Sequence, residues 1–67
     1  MVLELLDFSQ ALKELTGGKK ITRLEWNTQE EYGLLKDGWL TIHRQGVDHR
    51  WLVSIGDLEG TDWYVLA

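Results

Sequence analysis

Trp26-Asn27 is the pair in this chain best equipped to hold a ligand. An indole is a large rigid platform for a planar base, and the amide beside it offers two donors and an acceptor to the base's edge. Stacking a nucleobase on an aromatic ring is worth about 1 to 3 kcal/mol. Arg23 stands just upstream, with Lys19 and Lys20 before it, and a guanidinium meets phosphate oxygens as a bidentate fork. A second group follows in Trp51, Ser54, Asp57 and Asp62-Trp63. Asp62 suits a ribose hydroxyl, or the ordering of a loop through backbone N–H groups. A plainer reading stands beside each of these. Trp26 at a strand end serves equally as a core or interface plug, Trp63 belongs to a core more often than to a site, and Trp39 packs across strands or at an interface.

Catalysis has less to work with. The chain holds no Cys, and neither Ser9 nor Ser54 stands in a recognisable nucleophile setting. His43 and His49, with Asp48 or Asp62, offer a base or a metal site, but their spacing lacks a third ligand and reads first as two sheet or surface histidines. Binding without turnover is the expectation, with no cofactor and no metal.

Composition sets the frame for these residues. Four Trp in 67 residues exceed what a small core hides, so some are left for contact. A core of this size supplies no more than about 3 to 5 kcal/mol of net stability. Disulfides and a thiolate zinc site are excluded with Cys, which leaves self-association as the common supplement. A net charge of −4 argues against a DNA or RNA binder that tracks phosphates. The opening residues carry no basic leader and Glu4 breaks their apolar stretch, so they read as neither a secretory signal nor a membrane span. A cytoplasmic protein with one domain over 1–67 is expected.

The elements that must position the candidates follow from periodicity. Asp7, then Phe8, Ala11, Leu12 and Leu15, predict a helix over 8–16 with Asp7 and Gln10 as a capping box, Leu6 stapled near Ala11, and Gly17-Gly18 as the stop. Residues 19–24 read as a strand running into Trp26, and 27–31 as a polar loop. Asp37-Gly38 between β-prone runs predicts a tight hairpin. In the run after it Trp39, Thr41 and His43 share one face and Leu40, Ile42 and Arg44 the other, so one face takes the helix and the other is left for a partner chain. Residues 45–49 read as a loop, 50–53 as a short strand or extended entry, 54–60 as an irregular turn with Asp57 able to cap a single helical turn, and 62–66 as the last strand. The class is α+β, an N-terminal helix packed on a small antiparallel β-sheet.

The ordered set Phe8, Ala11-Leu12, Gly18-Lys19-Lys20, Ile21, Arg23, Trp26-Asn27, Trp51, Ser54, Asp57-Leu58 and Asp62-Trp63 resembles the small phage and prophage family that includes the second type of Thoeris anti-defence protein. The resemblance spans nearly the whole chain. It implies a homodimer or homotetramer acting as a sponge for nucleotide-derived immune signals, cyclic ADP-ribose isomers or cyclic oligonucleotides, in the host cytoplasm and without cleavage. It also implies a pocket near subunit interfaces, with Trp26-Asn27 and the segment from Trp51 through Ser54 and Asp57 to Asp62 as the matching ligand-binding positions, to which the chemistry of the residues adds Arg23 for phosphate. The chain departs from the family in Glu25 and Thr28, where glycines are common, and in a short middle section. A carboxylate at position 25 repels phosphate unless it points away. The alternative is a protein-interaction module without a nucleotide ligand, and a distant third is a hydrolase using His43 and His49.

Overall fold

The computed structural model describes residues 3–66. Met1, Val2 and Ala67, and with them the first two positions of the leader reading, lie outside the described residues. Asp7 starts the first element: its carboxylate accepts from the Gln10 N–H at 2.8 Å, and the Gln10 side-chain oxygen accepts from the Asp7 N–H at 3.0 Å. This reciprocal box opens α1, Phe8–Thr16, which buries Phe8, Ala11 and Leu15 on one face. The left-handed residue at its end is Gly18, with φ 97°, while Gly17 stays at φ −81°.

Five antiparallel strands follow, β1 (Lys20–Arg23), β2 (Tyr32–Lys36), β3 (Trp39–Arg44), β4 (Val47–Arg50) and β5 (Trp63–Leu66), with a short helix α2 (Ile55–Glu59) before the last. The sheet order is β4-β3-β2-β1-β5, so the final strand returns to lie beside the first. The α+β expectation holds. Leu6 adds a one-residue bridge to Trp63, exchanging backbone hydrogen bonds of 2.7 and 3.1 Å and covering part of the β5 edge.

The Asp37-Gly38 hairpin forms as its residues predict, both central φ angles being positive at 52° and 81°. A second tight turn, Gln45-Gly46 with φ 53° and 75°, corrects the reading of residues 45–49 as a loop. It folds Val47–Arg50 back on β3, with Ile42 opposite His49 and His43 opposite Asp48. Gln seldom takes positive φ, so the turn lacks the usual residue at its first central position, though Gly46 fills the second. Of the short strand or extended entry expected at 50–53, only Arg50 is strand. The Trp51 N–H still donates to the Leu40 carbonyl at 3.0 Å, after which the chain leaves the sheet. Two smaller corrections concern the site. Trp26 stands in a 3-10 turn, Leu24–Trp26, instead of at a strand end, and Asn27 closes that turn in the left-handed region at φ 56°. Ser54, not Asp57, is the N-cap of α2, and Asp57 is its partner in the box.

Strand alternation divides the sheet into two unlike faces. The inner face carries Ile21, Gly33, Ile42 and Trp63, and α1 packs on it over β1, β2 and β5. The core there joins Phe8, Ala11, Leu15, Ile21, Ile42, Trp51 and Trp63. The outer face carries polar and aromatic pairs instead of an apolar sheet. Tyr32 stacks on His43 at 4.8 Å, Lys20 lies over Tyr32, and Arg50 lies over the exposed Trp39 at 4.2 Å. Asp48 accepts from Lys36 at 2.6 Å and pairs with His43 Nδ1 at 2.7 Å; the Lys36 hydrogen bond, then that of His43, hold its carboxyl below the usual range. Among the described residues no helix is long and apolar enough to cross a membrane.

Candidate functional site

Three of the four Trp and Phe8 form one cluster. Trp26 meets Trp63 edge-on at 5.3 Å and Trp51 at 6.2 Å, and Phe8 reaches both Trp51 and Trp63 within 6 Å. Trp63 is fully buried and Trp51 is 5% exposed, while Trp26 keeps part of its surface open. The two plainer readings hold for Trp63 as core and for Trp39 as a cross-strand packer. Gly33 admits Trp51, because a Cβ there would stand 2.5 Å from the indole. Nothing in the local sequence announces that contact, since Gly33 and Trp51 are distant in the chain and Gly33 has an ordinary strand backbone.

A groove of about 570 Å³ opens beside this cluster on the inner face, past the end of α1's cover. Trp26 and Trp51 line one side, Ser54, Asp57 and Leu52 a second, and Ile42, Arg44 and His49 of the β3–β4 arm the third. Its volume falls within the range of small-molecule sites. Of the residues singled out from sequence, Trp26, Trp51, Ser54 and Asp57 meet here. Asn27 does not: with Arg23, Leu24, Thr28 and Tyr64 it borders a separate hollow of about 220 Å³.

Arg23, Asp57 and Asp62 come together in a different capacity. Arg23 Nε donates to Asp62 Oδ1 at 2.8 Å, and its Nη1 pairs with Glu25 Oε2 at 2.8 Å and Asp57 Oδ1 at 3.4 Å. Burial alone would lower the pKa of this guanidinium, but the Asp62 hydrogen bond and the charges of Asp62, Glu25 and Asp57 raise it. Burial likewise would raise Asp62, and the hydrogen bonds from Arg23 and from the Glu25 N–H, at 2.8 Å, hold it below the usual carboxylate range. Gly60 makes the floor, since a Cβ there would stand 2.9 Å from the guanidinium. Glu25 thus turns to Arg23, away from the groove. The cluster ties together β1, the Trp26 turn, α2 and the start of β5, and Asp57 adds a 3.1 Å bond from the Trp63 indole N–H to its carbonyl. Arg23 is engaged by carboxylates on the sides where a phosphate would otherwise sit.

The remaining candidates separate. His43 faces outward against Tyr32 and Asp48, whereas His49 faces inward opposite Ile42, so the two histidines cannot serve one ion or one proton transfer. Sequence reasoning missed Arg44 and His49 as groove residues. The period of two puts Arg44 with Ile42, which is the one signal that could have found it.

Residues 6–66 match the family model described as Tad2-like, the Thoeris anti-defense 2-like domain. Among curated proteins none matches the chain.

Proposed function

The chain belongs to the Thoeris anti-defense 2-like family and has an anti-defence role, and we propose that it fills this role as a sponge, binding a nucleotide-derived immune signal without cleaving it. The signal is a cyclic ADP-ribose isomer or a cyclic oligonucleotide, held in the cytoplasm of the host by a homo-oligomer of this chain. The observation that carries the reading is the groove walled by Trp26 and Trp51. The open surface of Trp26 takes the base, Trp51 backs it, and Ser54 and Asp57 lie where a ribose hydroxyl would meet them. Arg23 and Asp62 hold Asp57 and the Trp26 turn in place. Sequestration needs tight binding and no activated nucleophile. In keeping with that, the Ser54 hydroxyl oxygen accepts from the Asp57 N–H in a helix cap.

The test is nucleotide-dependent quenching of Trp fluorescence, followed by denaturation and recovery of the ligand. Quenching by at least one cyclic signal, its loss in Trp26→Ala, and return of the ligand intact support the sponge. A processed product, or no response across the panel, refutes it.

A protein-interaction module is the second reading, favoured by Leu52, Ile55 and Leu58 exposed at 84%, 72% and 55% beside the groove. It predicts indifference to every nucleotide, together with a protein partner whose capture is lost in Leu52→Ser.

A further inference from the structure

We infer that Arg44 and His49 form a phosphate-recognising subsite at the β4 end of the groove, which receives the phosphate oxygens of a ligand whose base lies against Trp26. The inference rests on the sponge reading for its ligand class and goes beyond it in assigning the anion to residues that neither the sequence motifs nor the family match pick out.

Register places the two side chains. Arg44 follows Ile42 by two residues on β3 and His49 stands opposite Ile42 on β4, so all three project from the inner face and border the groove. Arg44 and His49 are diagonal cross-strand neighbours, a separation of about 7 to 8 Å that long side chains close easily. Arg brings a fork of N–H donors matched to phosphate oxygens, and His brings at least one ring N–H in either protonation state.

Charge decides which end of the groove takes an anion. At the α2 end the groove is lined by the carboxylate of Asp57, and Arg23 behind it is already engaged by Asp57, Glu25 and Asp62, so among the described residues that end offers a phosphate no free cation. The neighbouring cations have their charged ends engaged on the outer face. Arg50 also borders the groove, but its guanidinium lies over Trp39 on the outer face, where Lys36 pairs with Asp48. Arg44 is held only loosely, by Glu31 at 3.4 Å with 47% and 28% of the two side chains exposed. An exposed pair of this kind contributes little, so a phosphate displaces Glu31 at little cost.

The probe is inorganic pyrophosphate, titrated at low ionic strength into the full chain labelled with nitrogen-15, with the arginine Nε–Hε and histidine ring signals followed by NMR. Saturable shifts at Arg44 and His49, with Arg23 unmoved, are expected. Arg44→Gln and His49→Gln should each weaken pyrophosphate about tenfold and leave the unfolding midpoint unchanged, while Arg44→Lys keeps part of the affinity. Cyclic ADP-ribose and a cyclic dinucleotide, run in parallel, separate a pyrophosphate from a phosphodiester source. Absence of shifts at Arg44 and His49 at millimolar pyrophosphate overturns the subsite. So does undiminished binding of a cyclic nucleotide by the Arg44→Gln, His49→Gln double variant, and in that case the sponge stands without it. Pyrophosphate at Arg44 and His49 with no cyclic nucleotide retained leaves the subsite standing and removes the sponge.

Discussion

Two arginines on the same face of one sheet have opposite circumstances. Arg23 is 9% exposed, packed against Gly60 and bound by three carboxylates. Arg44, at the far end of the groove, is half-exposed and has one loose partner in Glu31. The first closes the junction of β1, α2 and β5, and the second stands on an arm that α1 does not cover. A buried, fully paired cation fixes structure, and its removal strands the charges around it. An open cation contributes little to folding and remains free to meet a ligand. Residue type alone does not separate the two roles; the partners that the fold brings up do.

Breaking the closed end should have the largest effect. Asp62→Ala removes the bonds to Arg23 Nε and to the Glu25 N–H and leaves the guanidinium short of a partner. Urea denaturation should register a loss of roughly 3 kcal/mol, the range for opening a buried pair. A loss below about 0.5 kcal/mol would place the cluster among ordinary surface pairs.

Gly33→Ala should come next. The added methyl meets Trp51 at 2.5 Å, so the indole must shift within the aromatic cluster. The cost should be about 1 to 3 kcal/mol, as for overpacking elsewhere, with a changed near-UV circular dichroism from the Trp cluster. Retention of both stability and spectrum would show that Trp51 is not seated on Gly33.

Acid sharpens the same contrast more gently. Asp62 titrates below the usual carboxylate range in the folded chain. Its stabilisation is therefore complete above the unfolded value, about 4, and is lost as pH falls through the lower folded value. Stability measured between pH 7 and pH 3 should decline, and Asp62→Asn should flatten the decline. An equal slope in the variant would assign the acid sensitivity to other carboxylates.

The smallest effect on folding belongs to the open end. Arg44→Gln should change the unfolding free energy by less than about 0.5 kcal/mol, as for a solvated pair. A larger loss would give Arg44 a structural role like that of Arg23.

Much of the frame was legible because it is written locally. Asp7, Gln10 and Gly17-Gly18 delimit α1 to the residue, and Asp37-Gly38 announces its turn. Gln45-Gly46 makes the same kind of turn without the usual residue at its first position, and β4 was hidden with it. The site was legible in its membership more than in its roles. Trp26, Trp51, Ser54 and Asp57 do converge, but Arg23 and Asp62 choose each other, a pairing across 39 positions that no local pattern encodes. Arg44 and His49 were not legible as a groove pair, because His49 lies in the hidden strand β4 and only the tertiary placement of α1 leaves that part of the inner face uncovered.

Sequestration by an oligomer is best tested by native mass spectrometry of the purified protein mixed with cyclic ADP-ribose isomers and cyclic di- and trinucleotides. An oligomer should appear that carries one of these molecules at unchanged mass and in fixed ratio to its subunits. An assembly that stays unliganded across the whole panel, or that releases a ligand of altered mass, would contradict sequestration.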